Sequence, residues 1–541
     1  MKLFSKYLTV ALTGLAMAGC NDLDTEILGN YATTDQKASV IEEDSEKLVY
    51  SVTGVMGVMN QYMGIYSSAH CDFGFPSVML CLDSRGTDLV GLNIGYNWFS
   101  SQGEMSDGDT NNYTNNFCYR YPYKQIFAVN TLLETVGSES TDPQTMYFIA
   151  QARAVRAFDY WVLAQLFQFT YNGHASEPCV PIITEKNSAE VTEAGGAPRA
   201  TVEQVYAQIL DDLNVAIAYL RESEYTEDNK VRANTLVSSK PKRLVSLATA
   251  LGLRARTYLV MNRWAEAAAD AKEAINEFIG APISRTEAAS PCMGSLTDNN
   301  WMWGIAISEQ DRVVTSGIVN WPSHMGSFGG NTYAAAGAWR MIAKDLFDWI
   351  PATDVRRGWW LDADKKSANL PKAWQDFCNE NSMPAYTQVK FAPYQNILGN
   401  TMSAQDIPLM RVEEMYLIQA EAEAMSGAPT VGAKTLTDFV KTYRDRGYSC
   451  TLTDPAAIQE AVWMQRRIEL WGEGMSYYDL MRLKKGIDRR GGGWCEEWTY
   501  NIPAESNIMR LCLPQGEIET NKLITPADNN PSAPMPTPVL Q

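Results

Sequence analysis

The chain is poor in histidine. Its three, His70, His174 and His324, stand far apart and outside any HExxH arrangement, and none of its ten cysteines forms a CxxC pair. Zinc binding and histidine-dependent catalysis need such ligands at short, regular spacing, so neither a metal nor that chemistry is expected. There is no P-loop and no G-x-G-x-x-G, so the sequence carries no motif for a nucleotide cofactor, and no G-x-S-x-G offers a nucleophilic serine. Paired carboxylates for sugar hydrolysis have no positive signal among so many acids. Basic residues are also in short supply: 45 Lys and Arg against 63 Asp and Glu leave a net charge of −18. Phosphate recognition needs clustered cations, so a nucleic-acid partner is excluded.

What is present begins at the first residue. MKLFSKYLTVALTGLAMAGC has a basic start at Lys2 and Lys6, an apolar run from Tyr7 to Met17, and small residues before Cys20. The run is too short to span a bilayer. It reads as a signal peptide over residues 1–19, with Cys20 as the lipidated residue of a bacterial lipoprotein. Acyl chains then hold the protein at a membrane by about 0.8 kcal/mol per buried CH₂. An odd nine cysteines remain. An oxidising compartment permits disulfides among them, and buried free thiols are an equal alternative.

At 541 residues the chain exceeds one ordinary domain. Composition and pattern divide it into 20–280 and 281–541. Asp142-Pro143 predicts a helix to about Phe169, apolar nearly all round. Thr201-Val-Glu-Gln204 is a capping box opening an amphipathic helix to about Leu220. Residues 243–275 then place Leu251, Ala255 and Tyr258 on one helix and Ala267, Ala271 and Ala274 on the next. That is tetratricopeptide spacing, in which small alanines let paired helices approach closely. A second pair, 415–447, is expected to be looser, with a longer turn around Gly427-Ala-Pro-Thr. The fold class is therefore mostly α, a helix-pair scaffold with long irregular insertions and a few short strands. The insertions, 60–125 and 285–400, read as loops with short strands. The Pro-rich tail after about 520 reads as extended. Asp107-Gly-Asp-Thr-Asn-Asn offers oxygens at alternate positions, as calcium favours, but lacks the rest of an EF-hand loop.

The most informative stretch is QRRIELWGEGMSYYDLMR, 465–482. Within a helix from Pro455, the residues Ala457, Ala461, Met464, Ile468 and Trp471 form an apolar seam, with Arg466, Glu469 and Glu473 on its flank. Gly472 and Gly474 permit a turn, and Asp479 can pair with Arg482 three residues on. Charges beside a core are tolerated when paired, so the stretch reads as a fastening within the scaffold and not as an active site.

This stretch resembles the fingerprint of SusD/RagB nutrient-binding lipoproteins. Arg466, Arg467, Glu469, Leu470, Glu473, Gly474, Asp479, Leu480 and Arg482 match it, while Gln465 and Ser476 depart from it. The segments 407–427, Arg444 with Arg446, RAVRAFDYWVLAQLF and LPQGEIETN are similar to further islands of the family, in the same order. Residues 30–140 and 285–400 match only weakly.

The resemblance implies a SusD-like fold that binds without catalysing. It implies a lipid-anchored protein of the outer membrane at the cell surface, a lid on a SusC-like TonB-dependent transporter that captures oligosaccharide. In one branch the ligand is peptide, and a helical interaction scaffold without a ligand is a further alternative. Sugar rings stack on Trp and Tyr while polar groups bond the hydroxyls. The family's use of an N-terminal region and a later loop points to Arg85, Asp88, Asn93, Tyr96 and Trp98, then Asn320 and Trp321. Trp301 and Trp303 alternate like a strand, with one expected to pack inward.

Overall fold

The computed structural model describes residues 48–224 and 241–539. The expected signal peptide and Cys20 lie outside the described residues. The helices of the scaffold are α1 (Leu48–Gly57), α2 (Phe75–Arg85), α3 (Tyr113–Val136), α4 (Pro143–Leu166), α5 (Val202–Glu224), α6 (Leu247–Val260) and α7 (Trp264–Glu277). They continue with α8 (Val412–Met425), α9 (Pro429–Tyr443), α10 (Pro455–Glu469) and α11 (Ser476–Arg482). Among the described residues no helix is long and apolar enough to cross a membrane.

Side-chain caps start several of these helices. Asp142 accepts the Thr145 N–H at 2.8 Å, and Asp454 the Ala457 N–H at 2.9 Å. Thr201 and Gln204 form the reciprocal capping box, at 2.8 and 3.2 Å. From α3 onward each helix packs on the next, through α4, α5, α6 and α7 to α8, which carries both α9 and α10. The alanines placed at the α6–α7 seam, Ala255, Ala267, Ala271 and Ala274, are fully buried.

The α8–α9 pair is tighter than its sequence suggests. Pro429 is the first residue of α9, so the turn is only Ser426–Ala428, matching Met261–Arg263 between α6 and α7. A Cβ at Gly432 would lie 2.4 Å from the Ala420 carbonyl, so the close approach of α9 to α8 requires glycine there.

Two antiparallel strand pairs involve the insertions. β1 (Leu89–Gly91) pairs with β3 (Arg340–Ile342), setting Gly91 opposite Arg340. β2 (Trp301–Ile305) pairs with β4 (Ile407–Arg411) through two register shifts. All five residues of β2 are buried, so both Trp301 and Trp303 are fully buried instead of one.

Two further differences matter. The 60–125 stretch, read as loops, contains α2, buried along its whole length, and the first half of α3, which runs through Pro122. The inward stripe of α10 is also displaced from the predicted seam: Ile458, Val462, Gln465, Arg466, Ile468 and Glu469 are buried, while Ala457, Ala461 and Met464 are half-buried. Ile458 and Val462 join the α8–α9 core. The charged residues do not flank the seam; they continue it.

Residues 529–539 lack regular structure and lie along the protein, with Ala533 donating to the Gly108 carbonyl and Val539 to that of Thr499. The nine described cysteines are free thiols. Burial pushes the Cys71 thiol up to about 12, far from the thiolate that reactivity needs.

Candidate functional site

The charged stretch is built into the interior. Glu469 is fully buried and receives Arg444 at 2.8 Å, Arg356 at 3.1 Å and Arg411 at 3.2 Å. Glu413 shares Arg411 and Arg444, Glu473 takes Arg411 at 2.8 Å and Lys390 at 2.6 Å, and Asp354 holds Arg356 at 2.6 Å. Gln465, the departure from the fingerprint, accepts from Arg356. Burial alone raises the Glu469 carboxyl, but the guanidiniums, Arg444 foremost, outweigh it and hold the group well below its ordinary value. Every charge is matched within the network, and no group is left to act on a ligand.

The same stretch fastens the N-terminal insertion. Arg467 binds the Asp88 carboxylate at 2.6 Å, the Trp471 indole N–H donates to the Asp88 carbonyl at 2.9 Å, and the Gly474 N–H donates to Asp83 at 2.9 Å. Asp88 is 3% exposed and so serves the fold. Arg85 is fully buried, paired with Asp107 and the Ile508 carbonyl. That pairing turns Asp107 inward, so its carboxylate is not free for a cation in the 107–112 loop. Among the described residues no cluster of His, Cys, Asp or Glu is placed to hold a metal.

Past β1 the chain surfaces. Asn93 is exposed, Tyr96 is 59% exposed and Trp98 is partly exposed, while Asn97 between the two rings is buried. Trp98 stacks on His70, with centroids 4.7 Å apart and planes 18° off parallel. His70 bonds the Tyr333 hydroxyl, and Tyr333 stacks on His324 at 4.3 Å. The ladder ends on Phe73 and Phe99. Burial, with Arg340 nearby, lowers His324 to about 3, so this ring is neutral. The ladder supports Trp98 from beneath and leaves the loop's outer side to solvent.

The second predicted location is interior. Asn320 caps a short helix through Ser323 and donates to the Val313 carbonyl at 2.8 Å. Trp321 is 3% exposed, edge-on to Phe391 at 5.1 Å. The cavity beside them is about 10 Å³, room for one water and not a sugar ring. Of the seven predicted contacts, Asn93, Tyr96 and Trp98 are thus brought together at the surface, and Arg85, Asp88, Asn320 and Trp321 are enclosed.

Two larger cavities lie elsewhere. A cleft of about 670 Å³ is lined by Asn60, Arg243, Glu309, Asp311 and Tyr394, and a groove of about 820 Å³ by Tyr119, Tyr123, Phe127, Val191 and Pro514. Sequence reasoning assigned none of these residues to a site, nor His70, Tyr333 and Arg340. Each is assembled from segments far apart in the chain, and no local spacing marks them.

Residues 79–238 match a family model of SusD-like proteins described as starch-binding and associating with the outer membrane, and residues 365–525 match that of the SusD family. The first spans α2 to α5 with the ring-bearing loop, the second the charged stretch. Among solved structures, a SusD-like carbohydrate binding protein from Bacteroides vulgatus is 22% identical, with a TM-score of 0.70 over 90% of this chain and 97% of that one. A SusD superfamily protein from Bacteroides thetaiotaomicron is 20% identical, with a TM-score of 0.65 over 92% and 100%. A laminarin-binding SusD-like protein is 18% identical, with a TM-score of 0.61 over 91% and 99%. No curated protein matches the chain.

Proposed function

Since the chain belongs to the SusD/RagB family, we propose that it is a cell-surface glycan-binding lipoprotein, holding oligosaccharide against the loop of Asn93, Tyr96 and Trp98. Lipidated at Cys20, it sits at the outer membrane and hands the glycan to a SusC-like TonB-dependent transporter, over which it acts as a lid. It binds without altering the glycan.

One observation carries the reading. Tyr96 presents an exposed ring two residues before the partly exposed Trp98, whose ring is backed by His70, with the amide of Asn93 on the same loop. Flat rings take the C–H faces of sugars, and amides bond the hydroxyls. The family description and the names of the carbohydrate- and laminarin-binding relatives point the same way.

Calorimetry of protein lacking residues 1–20 against starch, laminarin and other glycans tests it. Saturable binding to at least one glycan, with no product released on incubation, is expected. Binding to peptides and to no glycan would overturn it.

A further inference from the structure

Arg340 is a buried charge without an acid. It is 1% exposed, and among the described residues it makes no ion pair. Its Nε and Nη2 atoms are buried without hydrogen-bond partners. The guanidinium lies over the Phe99 ring, 5.7 Å from its centroid, but has no anion, and a buried charge without an ion-pair partner costs stability, so the residue is a poor choice for holding the fold together. Its one side-chain hydrogen bond is specific: Nη1 donates to Asn97 Oδ1 at 2.9 Å.

Asn97 closes the ring-bearing loop. Its Oδ1 also accepts the Phe99 N–H at 3.1 Å, its Nδ2 donates to the Leu92 carbonyl at 2.9 Å, and its own N–H donates to Ile94 at 3.0 Å. One side chain therefore ties the start of the loop to its end, with Tyr96 and Trp98 on either side of it. A hydrogen bond from an ionised donor is roughly twice as strong as a neutral one. It also polarises the amide and strengthens the Nδ2 bond to Leu92.

The strand beneath is bare where the guanidinium crosses. Gly91 lies opposite Arg340 in the β1–β3 pair, and a Cβ there would sit 3.0 Å from Arg340 Nη1 and 3.1 Å from Asn97 Nδ2. The geometry points to Arg340, acting through Asn97, as the positioning residue that holds loop 92–98 in its ligand-receiving shape. This deepens the glycan reading, since it names what presets the contact loop before ligand arrives.

Amide hydrogen exchange on the full chain without ligand tests it, so its outcome is separable from whether any glycan binds. In Arg340→Met, exchange at Asn97, Phe99 and Ser100 is expected to rise at least tenfold. The melting temperature should stay level or rise, because a stranded charge is gone. Arg340→Lys should keep most of the protection. Unchanged loop exchange in Arg340→Met, or a uniform rise across the whole chain with a lower melting temperature, overturns the proposal. If Arg340→Met fails to fold, Arg340→Gln decides the matter: a selective rise in loop exchange supports the clamp, and intact loop protection rejects it.

Discussion

The Arg467 guanidinium holds the Asp88 carboxylate through two nitrogens, Nη2 at 2.6 Å and Nε at 3.0 Å, across 379 residues of chain. Arg467 stands in the last turn of α10, within the charged stretch, and Asp88 immediately precedes β1, the base of the ring-bearing loop. Removing one partner of a buried pair leaves the other charge stranded. Asp88→Ala is therefore expected to lower stability by about 3 kcal/mol in denaturant titration. A double variant, Asp88→Leu with Arg467→Met, should recover most of that loss. A double-mutant cycle showing simple additivity would contradict the pairing.

Glu469 makes a sharper case, because three arginines converge on it. Glu469→Ala leaves their charges undercompensated, and a loss of about 3–5 kcal/mol is expected. Nothing in the network reaches the exposed loop, so glycan affinity of the folded fraction should stay within about twofold, a change under 0.5 kcal/mol. Lost affinity at unchanged stability would return Glu469 to the binding machinery.

How much of this could be read in the sequence depends on whether the signal was local. The helices opened by Asp142, Thr201 and Asp454 were legible, because an N-cap acts within three residues. α2 was not: it starts at Gly74 without a side-chain cap and is buried along its length, so no polar face marks a period. α3 was obscured by Pro122, which reads as a breaker although Asn112 supplies a proper cap. At the site, Tyr96 and Trp98 stood out as rings in a polar loop. The enclosure of Arg85 and Asp88 was invisible, since their partners Asp107 and Arg467 are set by the fold. For the same reason the fingerprint was legible as a structural fastening, while the residues it anchors were not.

His324 gives the protein an acid-sensitive element. Its folded value, lowered to about 3 by burial, lies below the ordinary 6.5, so the unfolded chain takes up the proton first. The stabilisation is fully present above pH 6.5 and is lost as pH falls toward 3. Between pH 6.5 and 5 the contribution lost is about 1.6 kcal/mol, the slope rising from half of 1.36 kcal/mol per unit to nearly all of it. His324→Phe keeps an aromatic ring against Tyr333 and removes the titration. Its stability should therefore fall less steeply than the parent's over that range. Identical slopes in denaturant titrations at pH 6.5, 5.8 and 5 would show that His324 does not govern the effect.

The two predicted tryptophans now separate in what they should do. Trp98 is partly exposed on the loop and stacked on His70, so Trp98→Ala removes surface that a sugar ring could use and leaves the interior intact. Base- and sugar-sized stacking partners contribute on the order of 1 kcal/mol or more, so the glycan dissociation constant should rise about tenfold, with a small change in melting temperature. Trp321 is enclosed against Phe391, and Trp321→Ala opens a cavity expected to cost about 3–5 kcal/mol. Glycan affinity of the folded fraction should be unchanged there. Calorimetry paired with thermal unfolding on both variants distinguishes the roles, since each should move the quantity that the other leaves alone. If Trp98→Ala binds glycan like the parent, the contact surface lies elsewhere, and the 670 Å³ cleft at Asn60, Arg243 and Tyr394 becomes the next place to mutate.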